Sequence, residues 1–315
     1  MIDGLYDKTS KIAFSTYGDD FLKYFGEYKR IIRELGTEAH TLHGTHRRLD
    51  RLALVDDNTL QNWEFEIKDI KTETLTRIWQ YNNLKSAEIG KIMDSFIISF
   101  ANPDSCEETV EIGRSIVFAP IIKYLQRMGL PKKLNTIEYK VNHNQKIMIR
   151  DELTLIFVAL SVKDSSKEKM VKRVCKILEK IDYIDEYRRV VIDSLVSFQI
   201  ENFVKSKEDK DKLNEVVDMQ MSVEELFIQT EREHEFDSGF NQGRIEGKKE
   251  GKKEGIKEGK KEGIKEGIKE GKKEVLDEII INMLNDSVDD DSIQKLTGCS
   301  MQYLHEIKTK IYNDG

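Results

Sequence analysis

The sequence contains no long hydrophobic run, and it has few cysteines. Its longest apolar stretches, such as 95–101 and 155–160, have the length of a strand and fall well short of the roughly 18 residues that a membrane helix needs. The first ten residues lack the basic and apolar regions of a signal peptide. The three cysteines, Cys106, Cys175 and Cys299, form no CxxC pair, which disfavours a disulfide framework or a zinc ribbon. We therefore expect a cytoplasmic protein with no membrane partner.

Three common catalytic motifs are also missing. The chain has no GxxxxGK[ST] phosphate loop, no GxSxG nucleophile elbow and no HExxH helix, so nucleotide hydrolysis, esterase and metalloprotease chemistry have no support. The net charge of −7 argues against a generally basic surface. Any contact with nucleic acid must therefore be local.

The first 150 residues mix helical and strand periodicity. The predicted elements are a helix over 19–35, a hairpin over 49–68, a helix over 72–90, and strands over 94–103 and 135–142. This order predicts an α/β fold in which a mixed central sheet is flanked by helices.

The remainder of the chain is predicted to be mainly helical. Apolar residues at three-to-four spacing between 151 and 236 predict a helical subdomain that packs on the sheet domain. The predicted domains are a core over 1–150, a helical subdomain over 151–236, a repeat segment over 237–274 and a C-terminal helical pair over 275–315.

The repeat segment contains an array, residues 247–274, of seven tetrads that read GKKE or GIKE. The array has eleven Lys and seven Glu, which gives it a net charge of +4. Since the whole chain has a net charge of −7, the residues outside the array have a net charge of −11. A Gly-rich segment of this kind is a flexible linker in one interpretation. In the other it is a helix, since Lys and Glu favour helix and a Gly stripe permits close approach of a second helix. The helix predicts homo-oligomerisation through 247–274, and the sequence leaves both alternatives open.

The hairpin over 49–68 places charged side chains on one face of its second strand. Successive side chains of a strand point to opposite faces, so Glu64, Glu66 and Lys68 share one face, away from the apolar Trp63 and Phe65. A solvated antiparallel edge would give the same alternation. The alternative is an active-site face, with Asp50 of the first strand beside Glu64.

The length of the hairpin loop decides which face Asp50 takes. Residues directly opposite in an antiparallel hairpin point to the same face, so an even loop turns Asp50 away from Glu64. A three-residue loop over 56–58 brings the two opposite each other, and a bulge in an even loop would do the same. Asn58 suits the left-handed conformation that a three-residue loop usually needs, so we expect an odd loop or a bulge.

Four stretches of the chain carry a resemblance to a known family. They are DDFLKYF at 19–25, RRLDRLALVDD at 47–57 followed by WEFEIKD, RIWQYNNL at 77–84, and the GxxE array with the tail IQKLTGCSMQYLHEI. Together they resemble the PD-(D/E)xK nuclease superfamily, and more narrowly its recombination-promoting nuclease / putative transposase group. The resemblance spans nearly the whole chain, although its catalytic motif is short. It implies a restriction-endonuclease-like fold and hydrolysis of double-stranded DNA in recombination or transposition.

The resemblance also implies a metal site. Asp50 and Glu64 would be the metal ligands, with the Phe65 carbonyl between them. Hydrolysis of a phosphodiester needs a metal that neutralises charge and generates a nucleophile at neutral pH. Mg²⁺ prefers oxygen ligands and keeps several waters, so this small ligand set suffices, and Mn²⁺ is the alternative.

Position 66 departs from the pattern of the family. The residue two places after Glu64 is Lys or Gln in the group, whereas it is Glu66 here, and an ionised carboxylate cannot donate a hydrogen bond. Either Lys68 reaches back along the same face, or the register shifts so that Glu66-Ile67-Lys68 is the working motif. A third possibility is a catalytically impaired relative that binds DNA or assembles through the GxxE array.

Three further residues are candidates for supporting the site. Gln80 and Tyr81 match the polar-aromatic pair of the group and are expected to orient the metal ligands. Asp20 could supply another acidic group. A solvated acid in the first turn of a helix, favoured there by the helix dipole, is the simpler interpretation of Asp20.

Three arginines form a basic cluster beside Asp50. Arg47, Arg48 and Arg51 could bind phosphates of a DNA backbone. Alternatively, they balance the negative charge of the chain outside the array. The sequence favours neither interpretation.

Overall fold

The structure is a computed structural model that describes residues 2–40, 46–181, 185–217 and 220–313. The chain divides into two compact units, 1–241 and 242–315. The helices are α1 (Ile2–Tyr17), α2 (Asp19–Tyr24), α3 (Thr72–Ile89), α4 (Leu130–Asn142), α5 (Ile149–Phe157), α6 (Asp164–Leu178), α7 (Glu186–Phe203), α8 (Lys207–Asn214), α9 (Val223–Asn285), α10 (Asp290–Thr297) and α11 (Met301–Asn313). The strands are β1 (Ile31–Leu35), β2 (Glu38–His40), β3 (His46–Arg48), β4 (Arg51–Val55), β5 (Leu60–Glu66), β6 (Met93–Ser99), β7 (Val110–Ile112), β8 (Ile116–Phe118) and β9 (Ile121–Tyr124).

The first unit contains a five-stranded mixed sheet with the order β1-β4-β5-β6-β9. β4 pairs antiparallel with β1 and β5, whereas β6 pairs parallel with β5 and β9. The α/β class and the mixed sheet flanked by helices are thus confirmed. Among the described residues, no helix combines the length and the apolar character that crossing a membrane requires.

A three-residue loop joins β4 to β5, as the sequence predicts. The N–H of Val55 donates to the carbonyl of Thr59 across 3.1 Å, which leaves 56–58 as the loop. Asn58 adopts the left-handed conformation with φ of 70°. Arg51 is paired with Trp63 further along the hairpin, so Asp50 comes next, opposite Glu64.

One hydrophobic core joins the sheet to the helices on one of its faces. Trp63 of β5 stacks on Phe96 of β6 with ring centroids 4.3 Å apart, and Phe21 of α2 meets Trp63 edge-on. The same core includes buried residues of α1 and of α5 to α7. Each large apolar side chain buried here contributes about 1.5–3 kcal/mol. The predicted domain boundary at 150/151 lies inside this core.

Two predicted elements are wrong. The predicted helix over 19–35 is split, because Gly26 takes a positive φ of 84° after α2, and the β-branched residues that follow pair with β4 as β1. The predicted strand over 135–142 is the second half of α4. Leu134, Ile137 and Val141 are buried at helical spacing there, and this periodicity outweighs the short alternation.

The GxxE array is helical over its whole length, inside the 63-residue helix α9. Array residues are exposed along nearly all of the segment, and a Cβ added at any glycine from Gly247 to Gly271 would meet nothing within 4 Å. Of the two interpretations of the array, a flexible linker and a helix, the structure has the helix. In the second unit, the end of α9 packs with α10 and α11 around Ile280, Ile293 and Leu304.

Candidate active site

The hairpin register brings Asp50 and Glu64 to the same side of the sheet. Asp50 immediately precedes β4, and its backbone N–H donates to Glu64 Oε1 across 3.4 Å. In the other direction, the N–H of Phe65 donates to Asp50 Oδ2 across 2.9 Å. These reciprocal contacts hold the two carboxyl groups next to each other.

A series of hydrogen bonds through the side chains of Asn62 and Asn82 orients Glu64. Its side chain faces away from the aromatic core and is 4% exposed. Asn62, two residues earlier on the same face of β5, donates to Glu64 Oε1 across 3.1 Å and to Asn82 Oδ1 across 2.9 Å. Asn82 on α3 donates in turn to Ser95 of β6. The orientation of Glu64 is therefore fixed by residues of β5, α3 and β6.

The surroundings of Glu64 oppose the ionisation of its carboxyl group. Burial raises the pKa of Glu64 to about 8, and the nearby charge of Asp50 acts in the same direction, whereas the Asn62 hydrogen bond opposes the shift. The Oδ1 atom of Asn62 is also buried and accepts no hydrogen bond within the described residues. The site itself therefore does not compensate the ionisation of Glu64, whereas Asp50 has a cationic partner in Lys11.

Glu66 accepts a hydrogen bond from a residue of α3. It lies at the end of β5, where Arg77 donates to its Oε1 atom. Burial raises the pKa of Glu66, Arg77 opposes this shift, and Asp50 adds to it. Arg77 therefore partly neutralises the Glu66 carboxylate.

Lys68 does not continue the face of Glu64 and Glu66. β5 ends at Glu66, and Lys68 is exposed in a bend two residues beyond it. The predicted alternation is therefore wrong at this position, because it requires the strand to extend through Lys68.

Lys11 of α1 contacts the site instead. Its Nζ atom lies 3.0 Å from Asp50 Oδ1 and 2.9 Å from Asp7 Oδ1, and its side chain is 15% exposed. Burial works against the charge of Lys11, but Asp50 and Asp7 outweigh it and raise its pKa. Sequence reasoning missed this residue. The spacing of Asp7 and Lys11, four apart on a helix, was the available signal.

Arg51 is buried in the first unit, which contradicts its predicted contact with DNA. Its side chain is 1% exposed, its Nη2 atom donates to Glu231 across 2.6 Å, and its Nε atom lies 3.9 Å from Glu34. A guanidinium placed in this way is not available to a phosphate. Arg47 and Arg48 lie on β3, but their side chains fall outside what the structure describes.

The predicted supporting residues Gln80, Tyr81 and Asp20 have different environments. Gln80 is exposed on α3, while Tyr81 packs in an apolar cluster with Leu52 and Leu60. The neighbouring Asn82 reaches the site through Asn62. Asp20 is partly exposed in the first turn of α2, 3.5 Å from Lys23, as the simpler interpretation expects.

The donor atoms at the site fit Mg²⁺. Within the described residues, no group of three or more His, Cys, Asp or Glu side chains is arranged to hold a metal ion. Mg²⁺ keeps several waters, however, so a site that is built on only two carboxylates, those of Asp50 and Glu64, is compatible with it, and Mn²⁺ accepts the same oxygen ligands. Burial, and after it the charge of Asp50, raises the pKa of Glu64, and a cation bound beside the carboxyl group would oppose both effects. The Phe65 carbonyl remains a predicted ligand.

Comparisons with known proteins find no match to this chain: none among family models, none among curated proteins and none among solved structures. What can be said of its function therefore comes from the geometry of the site and from the sequence motifs.

Proposed function

We propose that this chain is a Mg²⁺-dependent endonuclease that hydrolyses phosphodiester bonds in double-stranded DNA. The observation that carries this proposal is the pair of adjacent carboxyl groups, Asp50 and Glu64, of which Glu64 is buried and has a strongly raised pKa. A buried carboxyl group with a raised pKa that is held beside a second carboxyl group is typical of functional sites, because burial and repulsion of its charge cost stability.

The residues of the chain have distinct roles in this proposal. A bound Mg²⁺ would neutralise the charge of the phosphodiester and supply a nucleophile at neutral pH. Asp50 and Glu64 would hold the ion. The Phe65 N–H orients Asp50, and Asn62 and Asn82 orient Glu64. Such supporting hydrogen bonds keep ligands in a productive geometry.

The choice of substrate rests on the resemblance of the motifs. The same resemblance supports a restriction-endonuclease-like fold for the sheet domain and a role in recombination or transposition. Neither Arg47 nor Arg48 has a described side chain, and Arg51 is buried, so the DNA-binding surface is not assigned to this cluster.

A second candidate is a catalytically impaired relative that binds DNA or assembles through the GxxE array. The contact that favours it is between Glu66 and Arg77, since a carboxylate that is paired with arginine cannot take the part of a Lys or Gln. The exposed helix over 247–274 would serve homo-oligomerisation in both candidates.

Nicking of a supercoiled plasmid tests the proposal. The wild type should relax the plasmid in Mg²⁺ and not in EDTA. Asp50→Asn and Glu64→Gln, which keep side-chain volume, should each lower the rate by about 10²-fold or more. Glu111→Gln removes an exposed carboxylate of β7 and is the matched control.

Two outcomes would overturn the proposal that this chain is an endonuclease. One is cleavage by Glu64→Gln at the wild-type rate. The other is a wild type that shifts plasmid in a gel without cutting it in Mg²⁺ or Mn²⁺, which would favour the impaired relative.

A further inference from the structure

Among the described residues, neither position that the motif offers for a lysine has a hydrogen bond or ion pair with Asp50 or Glu64. Position 66 is a carboxylate in contact with Arg77, and Lys68 is exposed beyond the end of β5. An endonuclease built on Asp50 and Glu64 would need a cationic hydrogen-bond donor from another part of the fold.

Lys11 has the geometry that such a donor requires. Its Nζ atom lies 3.0 Å from Asp50 Oδ1, while the other oxygen of Asp50 accepts from the Phe65 N–H. Asp50 is therefore held between the backbone of β5 and the ammonium group of α1. An ammonium group has three N–H donors, and the two carboxylates, Asp7 and Asp50, leave one available.

We propose that Lys11 is the active-site lysine of this chain and takes the place of the lysine of the E-x-K motif. This inference rests on the proposed function. Lys11 orients Asp50 and presents a fixed positive charge and one N–H donor to the phosphate that is being cleaved. Preorganised charge of this kind stabilises the negative charge that develops in the transition state.

Asp7 is then a positioning residue. It lies one helical turn before Lys11 on α1, and its Oδ1 atom is 2.9 Å from Lys11 Nζ. A residue pair four apart on a helix is well suited to hold a long side chain in one rotamer. The motif of this chain would therefore combine Asp7 and Lys11 of α1 with Asp50 and Glu64 of the hairpin.

Single-turnover cleavage of plasmid tests the assignment, with Lys68 as the matched control. Lys11→Met should lower the rate by about 10²-fold or more, and Lys11→Arg, which keeps the charge, should recover part of it. Lys68→Met should cut like the wild type. Loss of activity in Lys68→Met with full activity in Lys11→Met would overturn the proposal.

A second readout does not depend on cleavage. Calorimetric titration with Mg²⁺ should show binding about tenfold tighter in Lys11→Met, because a positive charge beside Asp50 has been removed. Lys68→Met should bind as the wild type does. Lys11→Gln replaces Lys11→Met if the latter does not fold, since glutamine can still donate to Asp50.

The two readouts separate this inference from the proposed function. A wild type that never cuts DNA would overturn the proposed endonuclease activity and, with it, the role of Lys11 in cleavage. Tighter Mg²⁺ binding by an uncharged variant at position 11 would still place Lys11 at the metal site. Unchanged Mg²⁺ affinity in both Lys11→Met and Lys11→Gln would overturn that placement.

Discussion

The backbone N–H of Phe65 donates a 2.9 Å hydrogen bond to the carboxylate of Asp50. This contact turns Asp50 toward Glu64 and ties the start of β4 to β5. Removing the acceptor with Asp50→Ala should therefore lower the free energy of unfolding by about 1–3 kcal/mol, while Asp50→Asn keeps an oxygen acceptor and should cost less. Urea denaturation compares the two. Equal stability of Asp50→Ala and the wild type would mean that the contact does not hold the hairpin.

The raised pKa of Glu64 makes the stability of the metal-free protein depend on pH. Glu64 titrates at its ordinary value of 4.5 when unfolded and at about 8 when folded. Between these values the folded state binds more protons than the unfolded state, so the free energy of unfolding falls as pH rises and levels off above about 8. The raised pKa of Glu66 adds to the fall.

Thermal unfolding in EDTA across this pH window measures the effect. Glu64→Gln cannot ionise at position 64, so its melting temperature should fall less steeply than that of the wild type. Parallel curves for the two proteins would show that Glu64 titrates normally in the fold.

The buried pair of Arg51 and Glu231 should be important for stability. Glu231→Ala leaves the guanidinium of Arg51 buried with Glu34 3.9 Å away, and the expected loss is about 3 kcal/mol. Glu208→Ala breaks the exposed pair with Lys212 and should cost about 0–1 kcal/mol. Denaturant midpoints of the two variants measure this difference. A similarly small loss of stability in both variants would contradict the buried ion pair.

The glycines of the array distinguish an isolated helix from an assembled one. Gly255, Gly259 and Gly263 are exposed and helical, so replacing all three with Ala should favour the isolated helix by about 0.8–1 kcal/mol per site. If a second copy packs against this stripe, the added methyl groups will keep it away. We expect helicity to rise by circular dichroism while the mass measured by light scattering falls. An unchanged mass would argue against assembly through 247–274.

The hairpin could be predicted from sequence because its determinants are local. Asn58 suits a positive φ and alternation fixes which residues share a face, so the prediction was an odd loop or a bulge that sets Asp50 opposite Glu64. The structure has the odd loop. The α/β class followed in the same way from the order of the elements. α3 was equally clear, since Gly90 ends it in the left-handed conformation.

Contacts between segments that lie far apart along the chain could not be predicted from the sequence. Glu231 meets Arg51 across 180 residues, so a buried ion pair was indistinguishable from a basic cluster on the surface. The contact of Lys11 with Asp50 is hidden in the same way, because no local pattern connects α1 to Asp50. Residues 31–35 also read as helix in isolation, and pairing with β4 makes them a strand.

Calorimetric titration of Mg²⁺ into the folded protein tests the central claim most directly. The wild type should bind one Mg²⁺, and both Asp50→Asn and Glu64→Gln should lose that binding while keeping the wild-type circular dichroism spectrum, whereas Glu111→Gln should bind normally. If the wild type and the two site variants give the same titration, Asp50 and Glu64 do not form a metal site.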